Sequence, residues 1–220
     1  FAATSHIPDI IMNHKIGKNH LAAFISKMEN EDLPSPVIDT FAHYYDEVLK
    51  GETGLIYDRD IRPLGASEIE TYDKIIKHSQ FGINVFPQTV RIVLNGGLGT
   101  SMGLTGAKSL IKIKEGMSFL DIIMRQAENS EVALAFMNSF NTHEDTMAAI
   151  SAIKPARIPV AFQQHKFPKI LQKDLSPAIW PKNPNLEWNP PGHGDVYTAL
   201  LTSGMLKKLL DDGIFYAFIS

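Results

Sequence analysis

The order of short apolar runs after Pro87 constrains the fold of this chain more than any other feature. These runs alternate with segments of helical periodicity, which begin near the capping residues Ser118, Thr142 and Asp195. Strands that alternate with helices are joined by right-handed crossovers, and this produces a largely parallel sheet with helices on both faces. The sequence therefore predicts an α/β, Rossmann-like fold with a mixed, mainly parallel sheet. The strands are expected at residues 91–95, 132–137, 158–162 and 214–219.

The first 88 residues follow a different pattern. Ser35 and Pro36 form a cap followed by a first-turn proline, and apolar residues then recur at helical spacing as far as Leu49. Residues 67–70 have the pattern of a capping box that opens another helix. We therefore predict an N-terminal helical layer over residues 1–88 and an α/β domain over residues 89–220.

Composition excludes several classes of function. Lys and Arg total 21 against 24 Asp and Glu, a net charge of −3, so no overall basic field points to nucleic acid or an anionic membrane. The absence of cysteine excludes a disulfide scaffold, a thiolate zinc site and a cysteine nucleophile, and it fits a reducing, cytoplasmic location. No apolar run approaches the roughly 20 residues that span a bilayer.

A glycine-rich stretch follows the first expected strand. Residues 94–108, LNGGLGTSMGLTGAK, contain five glycines and end in Lys108. Glycines at this point of a parallel sheet let backbone N–H groups approach an anion closely, which suits a phosphate cradle. A P-loop would need glycine at Ala107, and a dinucleotide fingerprint would need it at Met102. A turn that only reverses the chain is the alternative.

The glycine stretch resembles the signature of the UTP–glucose-1-phosphate uridylyltransferases, also called UDP-glucose pyrophosphorylases. Further blocks of that family follow in the same order, and the resemblance covers nearly the whole chain. They are GETGLIYDRDI at 51–61, NSFNTHEDT at 138–146, FQQHKFPKI at 162–170 and NPPGHGDVYTAL at 189–200. One departure is Ala107, where many family members have proline before the lysine. We expect it to change the stiffness of the loop more than its chemistry.

The resemblance implies a role for each matching residue. The backbone of Leu94, Asn95, Gly96 and Gly97 would form the floor for uracil, and residues 99–103, including Gly99 and Thr100, would wrap the triphosphate. Gln164 would bind the uracil edge, since an amide offers both a donor and an acceptor. Met137 and Gly192 would line the base and ribose, and His193 would reach the sugar phosphate. Lys108 would be the cation that stabilises the transition state.

Some of these residues have a simpler explanation. Lys108 could be a solvated loop lysine, and Met137 ends an apolar strand, so core packing explains it equally well. Gln163 competes with Gln164, and only the family's spacing to Pro168 favours the latter. His143 lies in the first turn of a helix and outside an HExxH pattern, which favours a surface or capping role over metal binding.

The reaction implied by the family is an in-line attack of glucose 1-phosphate on the α-phosphorus of UTP, which gives UDP-glucose and pyrophosphate with the help of magnesium. A UDP-N-acetylhexosamine pyrophosphorylase is the closest alternative enzyme. Its signature typically has arginine shortly after Gly-Thr, where Ser101 and Met102 stand here. A non-catalytic nucleotide-binding module is the alternative outside the enzymes. A nucleotide-binding oxidoreductase would need a third glycine and an acidic residue that binds the ribose, and this sequence has neither in the required place.

The C-terminal run at 214–219 has the composition of a buried central strand. In the family this strand leads into an Asn-x-Asp-Asn block whose aspartate binds magnesium, and the sugar-binding half follows. We therefore expect no metal ligands in this chain, and an α/β domain that is incomplete at its C-terminal end. The missing C-terminal part of the same enzyme would be its partner. The isolated 220-residue polypeptide is expected to be nearly inactive and to expose an apolar edge.

Overall fold

The computed structural model describes residues 14–52, 54–99, 103 and 106–220. It divides into two compact units, the first formed by Phe1–Thr71 with Phe167–Asn189 and the second by Tyr72–Lys166 with Pro190–Ser220. This division does not test the predicted domain boundary after residue 88, which stays a prediction. No helix in the described part of the chain is long and apolar enough to cross a membrane.

Eight α-helices and eight strands are found in the described ranges. The helices are α1 His14–Glu29, α2 Ser35–Leu49, α3 Tyr72–Ile75, α4 Ser79–Val85, α5 Phe119–Glu128, α6 His143–Ile153, α7 Val196–Thr202 and α8 Met205–Asp211. The strands are β1 Thr89–Asn95, β2 Lys112–Lys114, β3 Met117–Ser118, β4 Ala133–Asn138, β5 Val160–Gln163, β6 Phe167–Pro168, β7 Trp188–Asn189 and β8 Tyr216–Ile219.

The first unit is built around an aromatic cluster between α1 and α2. The ring centroid of Phe24 lies 5.0 Å from that of Phe41 and 4.9 Å from that of Tyr45, and all three side chains are buried. The Tyr45 hydroxyl donates a hydrogen bond of 2.9 Å to the carbonyl oxygen of Leu175, which ties the long loop between β6 and β7 to this cluster. Strands β6 and β7 pair antiparallel.

The second unit contains a four-stranded sheet in the order β5-β4-β1-β8, and every pair in it is parallel. Successive side chains of β1, β4 and β5 alternate between two cores. Val90, Ile92 and Ala135 pack with residues of α7 and α8, whereas Phe136 and its neighbours pack with α5 and α6. The predicted parallel α/β sheet with helices on both faces is confirmed by this pairing and by the two cores. Strands that are buried on both faces have largely apolar sequences, which is why the sequence predicted them.

The local helix signals are reproduced in part. Ser118 caps α5 as expected, and it forms a reciprocal capping box with Asp121. Helix α2 begins at Ser35 with Pro34 in the N-cap position, so the prediction that Ser35 caps this helix was wrong. The predicted capping box at residues 67–70 was wrong: a 3-10 turn spans Ala66–Glu68, and in it the Glu68 carboxylate accepts from the backbone N–H of Gly65.

The last strand of the sheet has the composition of a buried central strand but is exposed. β8 is an edge strand, and its Tyr216, Phe218 and Ile219 are exposed, which agrees with the apolar edge expected for these 220 residues. In the described part of the chain no strand pairs with its outer edge. Apolar composition therefore predicted the strand correctly but not its burial, which depends on what lies against it.

Candidate active site

Three neighbouring strands of the sheet end at the same level with amide side chains. Asn95 at the end of β1 pairs in register with Asn138 at the end of β4, and Asn138 pairs with Gln163 at the end of β5. In an open parallel sheet, ligands bind beyond this carboxyl edge. Gly96 of the glycine stretch directly follows Asn95, and Gln164 directly follows Gln163. The topology therefore brings two of the predicted motifs together at this edge of the sheet.

A buried hydrogen-bonded network fixes these strand ends. The side-chain nitrogen of Asn95 donates to Asn138 Oδ1 at 2.8 Å and to the Thr146 hydroxyl at 2.9 Å. The Thr142 hydroxyl donates to the Asn95 carbonyl oxygen at 2.8 Å. Nδ2 of Asn138 lies 3.2 Å from Nδ1 of His143, so this histidine belongs to the network and is half-buried. Sequence reasoning missed the network, because its members come from β1, β4 and α6.

Gln164 lies directly over Gly96. Its backbone N–H donates to the Asn138 carbonyl oxygen at 2.8 Å, which extends the pairing of β4 and β5 by one residue. A Cβ atom on Gly96 would lie 1.9 Å from Nε2 of Gln164, so any other residue here would make the Gln164 amide move. Gln164 is 6% exposed, and its Oε1 is buried without a hydrogen-bond partner in the described structure. Gln163 is exposed, and Gln164 is therefore the amide held at the floor of the site.

The glycine stretch is closed at its base like a hairpin. Leu98 and Ala107 form an isolated antiparallel bridge, the N–H of Lys108 donates to the Gly97 carbonyl oxygen at 3.1 Å, and the N–H of Gly99 donates to the Gly106 carbonyl oxygen at 3.3 Å. Thr100 lies outside the described residues. These bonds hold residues 97–99 against residues 106–108, close to Gln164.

Ala107 has the backbone conformation that proline would impose. Its φ is −60°, close to the value fixed by a proline ring. The hydrogen bonds that close the stretch involve the neighbouring residues Gly106 and Lys108. The departure from the family signature therefore leaves the path of the chain intact.

Lys108 begins a 3-10 turn that ends at Leu110, and its side chain is exposed. Its Cδ would lie 3.9 Å from a Cβ on Gly97, so the aliphatic stem runs along the start of the glycine stretch. Within the described ranges its ammonium group forms no ion pair. The structure thus presents a free cation next to the loop, which is the arrangement that an anionic substrate requires.

Met137 and Leu94 are placed differently from the other predicted site residues. Met137 is 0% exposed and belongs to the core formed with α7 and α8, and Leu94 packs against that same core. Their side chains face the interior of the protein. The packing explanation that the sequence allowed for Met137 is therefore the one its burial favours.

The turn at Gly192 and His193 lies at the start of α7. Gly192 has a φ of +114°, a conformation that residues with a Cβ rarely adopt. His193 opens a 3-10 turn that ends at Asp195, and its side chain is exposed. The Asp195 carboxylate contacts His165, the residue after Gln164. The predicted sugar-phosphate histidine is thereby linked to the predicted base amide through two residues that sequence reasoning had not placed in the site.

Carboxylates near this edge do not form a ligand set. The described residues include no group of three or more His, Asp or Glu side chains that could hold a metal ion. Asp145, on the first turn of α6, is exposed, and its Oδ2 would lie 3.3 Å from a Cβ on Gly106. Asp195 is occupied by His165.

Comparison with known proteins gives one consistent result. The model of the UTP–glucose-1-phosphate uridylyltransferase family matches residues 38–220. The UTP–glucose-1-phosphate uridylyltransferase of Solanum tuberosum is 35% identical over 191 residues, which cover 82% of this chain and 40% of that protein. The enzyme of the same name from Saccharomyces cerevisiae is 35% identical over 206 residues, with 89% of this chain and 40% of that protein covered.

Among solved structures, a variant of UDP-glucose pyrophosphorylase from Leishmania major in complex with UDP-glucose is similar to this chain, with a TM-score of 0.75 and 37% identity. The similarity covers 91% of this chain and 43% of that one. The chain thus spans about two fifths of the length of the curated relatives it matches.

Proposed function

Because the chain belongs to the UTP–glucose-1-phosphate uridylyltransferase family, we propose that the protein containing it forms UDP-glucose and pyrophosphate from UTP and glucose 1-phosphate. One observation carries the proposal. The buried amide of Gln164, with an unpaired Oε1, lies over Gly96 at the base of a glycine loop that ends in the free cation Lys108. A base-binding amide and a phosphate-binding cation are thus combined at the carboxyl edge of one sheet.

Base binding follows from the amide. The uracil edge presents one N–H donor between two carbonyl acceptors. The Oε1 atom of Gln164 can accept from that N–H while Nε2 donates to a neighbouring carbonyl. Binding would then satisfy a buried acceptor that has no partner in the described structure, and leaving such an atom unpaired costs about 1–3 kcal/mol. The backbone of residues 94–97 would form the floor beneath the ring, with Gly192 assigned to the base and ribose by the family pattern.

Transfer requires positioning and neutralised charge and no covalent intermediate. An oxygen of glucose 1-phosphate forms a bond to the α-phosphorus of UTP, and the bond from that phosphorus to the bridging oxygen breaks as pyrophosphate leaves. Lys108 would place its ammonium group against the charge that develops on the α-phosphate. Backbone N–H groups of the glycine loop, including Gly99 and Thr100, would hold the triphosphate. His193, exposed at its turn, would contact the sugar phosphate.

Magnesium enters this proposal as an ion that would arrive with the phosphates of UTP. The remainder of the protein, which would complete the sugar-binding half, is the proposed partner. A cytoplasmic location is also part of the proposal, on the ground that the chain contains no cysteine.

The test is pyrophosphate release by the full-length protein with UTP and glucose 1-phosphate, compared with UTP and N-acetylglucosamine 1-phosphate. We expect release with the glucose ester and little with the acetylated one. Preference for N-acetylglucosamine 1-phosphate would instead identify a UDP-N-acetylhexosamine pyrophosphorylase. Binding of UTP without release from either pair would identify a non-catalytic nucleotide-binding module.

A further inference from the structure

The Asp195 carboxylate is held by His165 through several contacts. The backbone N–H of His165 donates to Asp195 Oδ2 at 2.6 Å, and Nδ1 of the ring lies 2.9 Å and 3.0 Å from the two carboxylate oxygens. The side chains of His165 and Asp195 are only 11% and 7% exposed. Because an ionised carboxylate has only acceptors, the proton on Nδ1 must point at Asp195. Both carboxylate oxygens are therefore engaged inside the protein.

Asp195 does not serve as an ordinary helix cap. It stands in the N-cap position of α7, where aspartate commonly accepts from the first free N–H groups of the helix, yet its side chain makes no capping bond. The other end of α7 also contacts His165, because the Thr202 hydroxyl lies 3.0 Å from Nε2 of the ring. One histidine is thus held by the first and last turns of the same helix. The His165 ring therefore connects the segment that follows β5 to α7, next to Gln164.

Each residue of this pair lies close in the chain to a predicted site residue. His165 directly follows Gln164, and Asp195 lies two residues after His193. We propose that Asp195 and His165 are positioning residues, which hold the turn at Gly192 and His193 in register with Gln164 and so couple the sugar-phosphate end of the site to the base end. This inference rests on the proposed function. Neither side chain is assigned a contact with substrate.

The geometry also separates this role from two others. A carboxylate that binds magnesium or removes a proton needs an oxygen that the ligand can reach, whereas the Asp195 side chain is only 7% exposed and faces His165. A residue that only stabilises the fold would not need to connect the segment of Gln164 with the turn of His193. If Asp195 positions the site, its loss should raise the KM of both substrates, because each binding event must then order the turn again.

The experiment compares steady-state kinetics of the full-length wild-type protein with those of the variants Asp195→Ala, Asp195→Asn and Asp211→Ala. Pyrophosphate release is measured at varied UTP and varied glucose 1-phosphate, with thermal melts of each variant alongside. We expect Asp195→Ala to raise both KM values by about tenfold or more, on the scale of a misplaced substrate-positioning group. Asp195→Asn should recover part of the loss, since its amide oxygen can still accept from the His165 N–H. Asp211→Ala removes an exposed carboxylate from α8, away from His165, and should stay close to wild type.

Each outcome has a definite meaning. A lower melting temperature with a reduced maximal rate and unchanged KM values would overturn the inference, because that is the result of a purely structural role. If Asp195→Ala does not fold, Asp195→Asn decides by the same KM criterion. A wild-type protein that releases no pyrophosphate and binds no UTP would overturn the proposed function together with this inference. An active wild-type protein with unaffected Asp195 variants would overturn the inference alone.

Discussion

A Cβ atom on Gly96 would lie 1.9 Å from Nε2 of Gln164, well inside the distance at which two atoms can coexist. The glycine at the end of β1 is therefore needed by a side chain from the neighbouring segment. Gly97, one residue later, has only the Cδ of Lys108 nearby, at 3.9 Å from its Cβ position. An added methyl group would therefore collide with Gln164 at position 96 but would make an ordinary contact at position 97.

The first prediction follows from this difference. Gly96→Ala in the full-length protein should force Gln164 out of its place and cost about 1–3 kcal/mol of stability, as overpacking usually does. UTP affinity should fall with it. Thermal melts and calorimetric titration with UTP would measure the two effects. Gly97→Ala is the matched control, because its added methyl group makes an ordinary contact, and its melting temperature should change much less. Equal losses in the two variants would contradict the packing of Gln164 over Gly96.

The second prediction concerns the amide itself. Gln164→Ala should weaken UTP binding more than pyrophosphate binding, because only UTP presents a base edge and a lost hydrogen-bond partner costs about 1–3 kcal/mol. Parallel calorimetric titrations with the two ligands would measure the difference. Gln163→Ala is the control, since Gln163 is exposed, and it should leave both affinities near those of the wild type. Equal losses for UTP and pyrophosphate in Gln164→Ala would move this residue away from the base.

The third prediction concerns the free cation. Lys108→Ala should lower kcat by about 100-fold or more, on the scale of losing one preorganised charge at the reacting phosphate. UTP affinity should fall much less, because the loop backbone and Gln164 remain. Single-turnover kinetics at saturating UTP would isolate the chemical step. Lys114→Ala removes another exposed lysine, on β2, and should be neutral. A kcat within a few-fold of wild type in Lys108→Ala would assign the wrong role to this residue.

The sheet could be predicted from the sequence because strands buried on both faces are mainly apolar, and β1, β4 and β5 have that pattern apart from Arg91 and the polar residues at their ends. The cap at Ser118 was equally visible, since a capping residue directly precedes the helix that it starts. The burial of β8 could not be predicted. A strand's own residues do not determine whether another element covers it.

The floor of the site could be predicted only in part. The glycine stretch indicated a phosphate cradle, yet the specific need for glycine at position 96 arises from Gln164, which reaches it through the pairing of β1, β4 and β5. The pair of His165 and Asp195 is separated by 30 residues, so no local pattern connects them. Roles that depend on neighbouring strands become visible only when the register of the sheet is known.

The fourth prediction concerns the pH dependence of stability in the first unit. Lys27 and the backbone N–H of Trp180 bind the Glu187 carboxylate and lower its pKa. A carboxylate with a lowered pKa stabilises the folded state above its unfolded pKa of about 4.3, and this contribution disappears as the pH falls through the folded value. Glu187→Gln should therefore be less stable than wild type near pH 7, and the difference should shrink below about pH 4. Urea unfolding of the full-length protein across this range would measure it. Asp39→Asn, which removes an exposed carboxylate from α2, is the control. A stability difference for Glu187→Gln that stays constant with pH would show that its ionisation does not stabilise this unit.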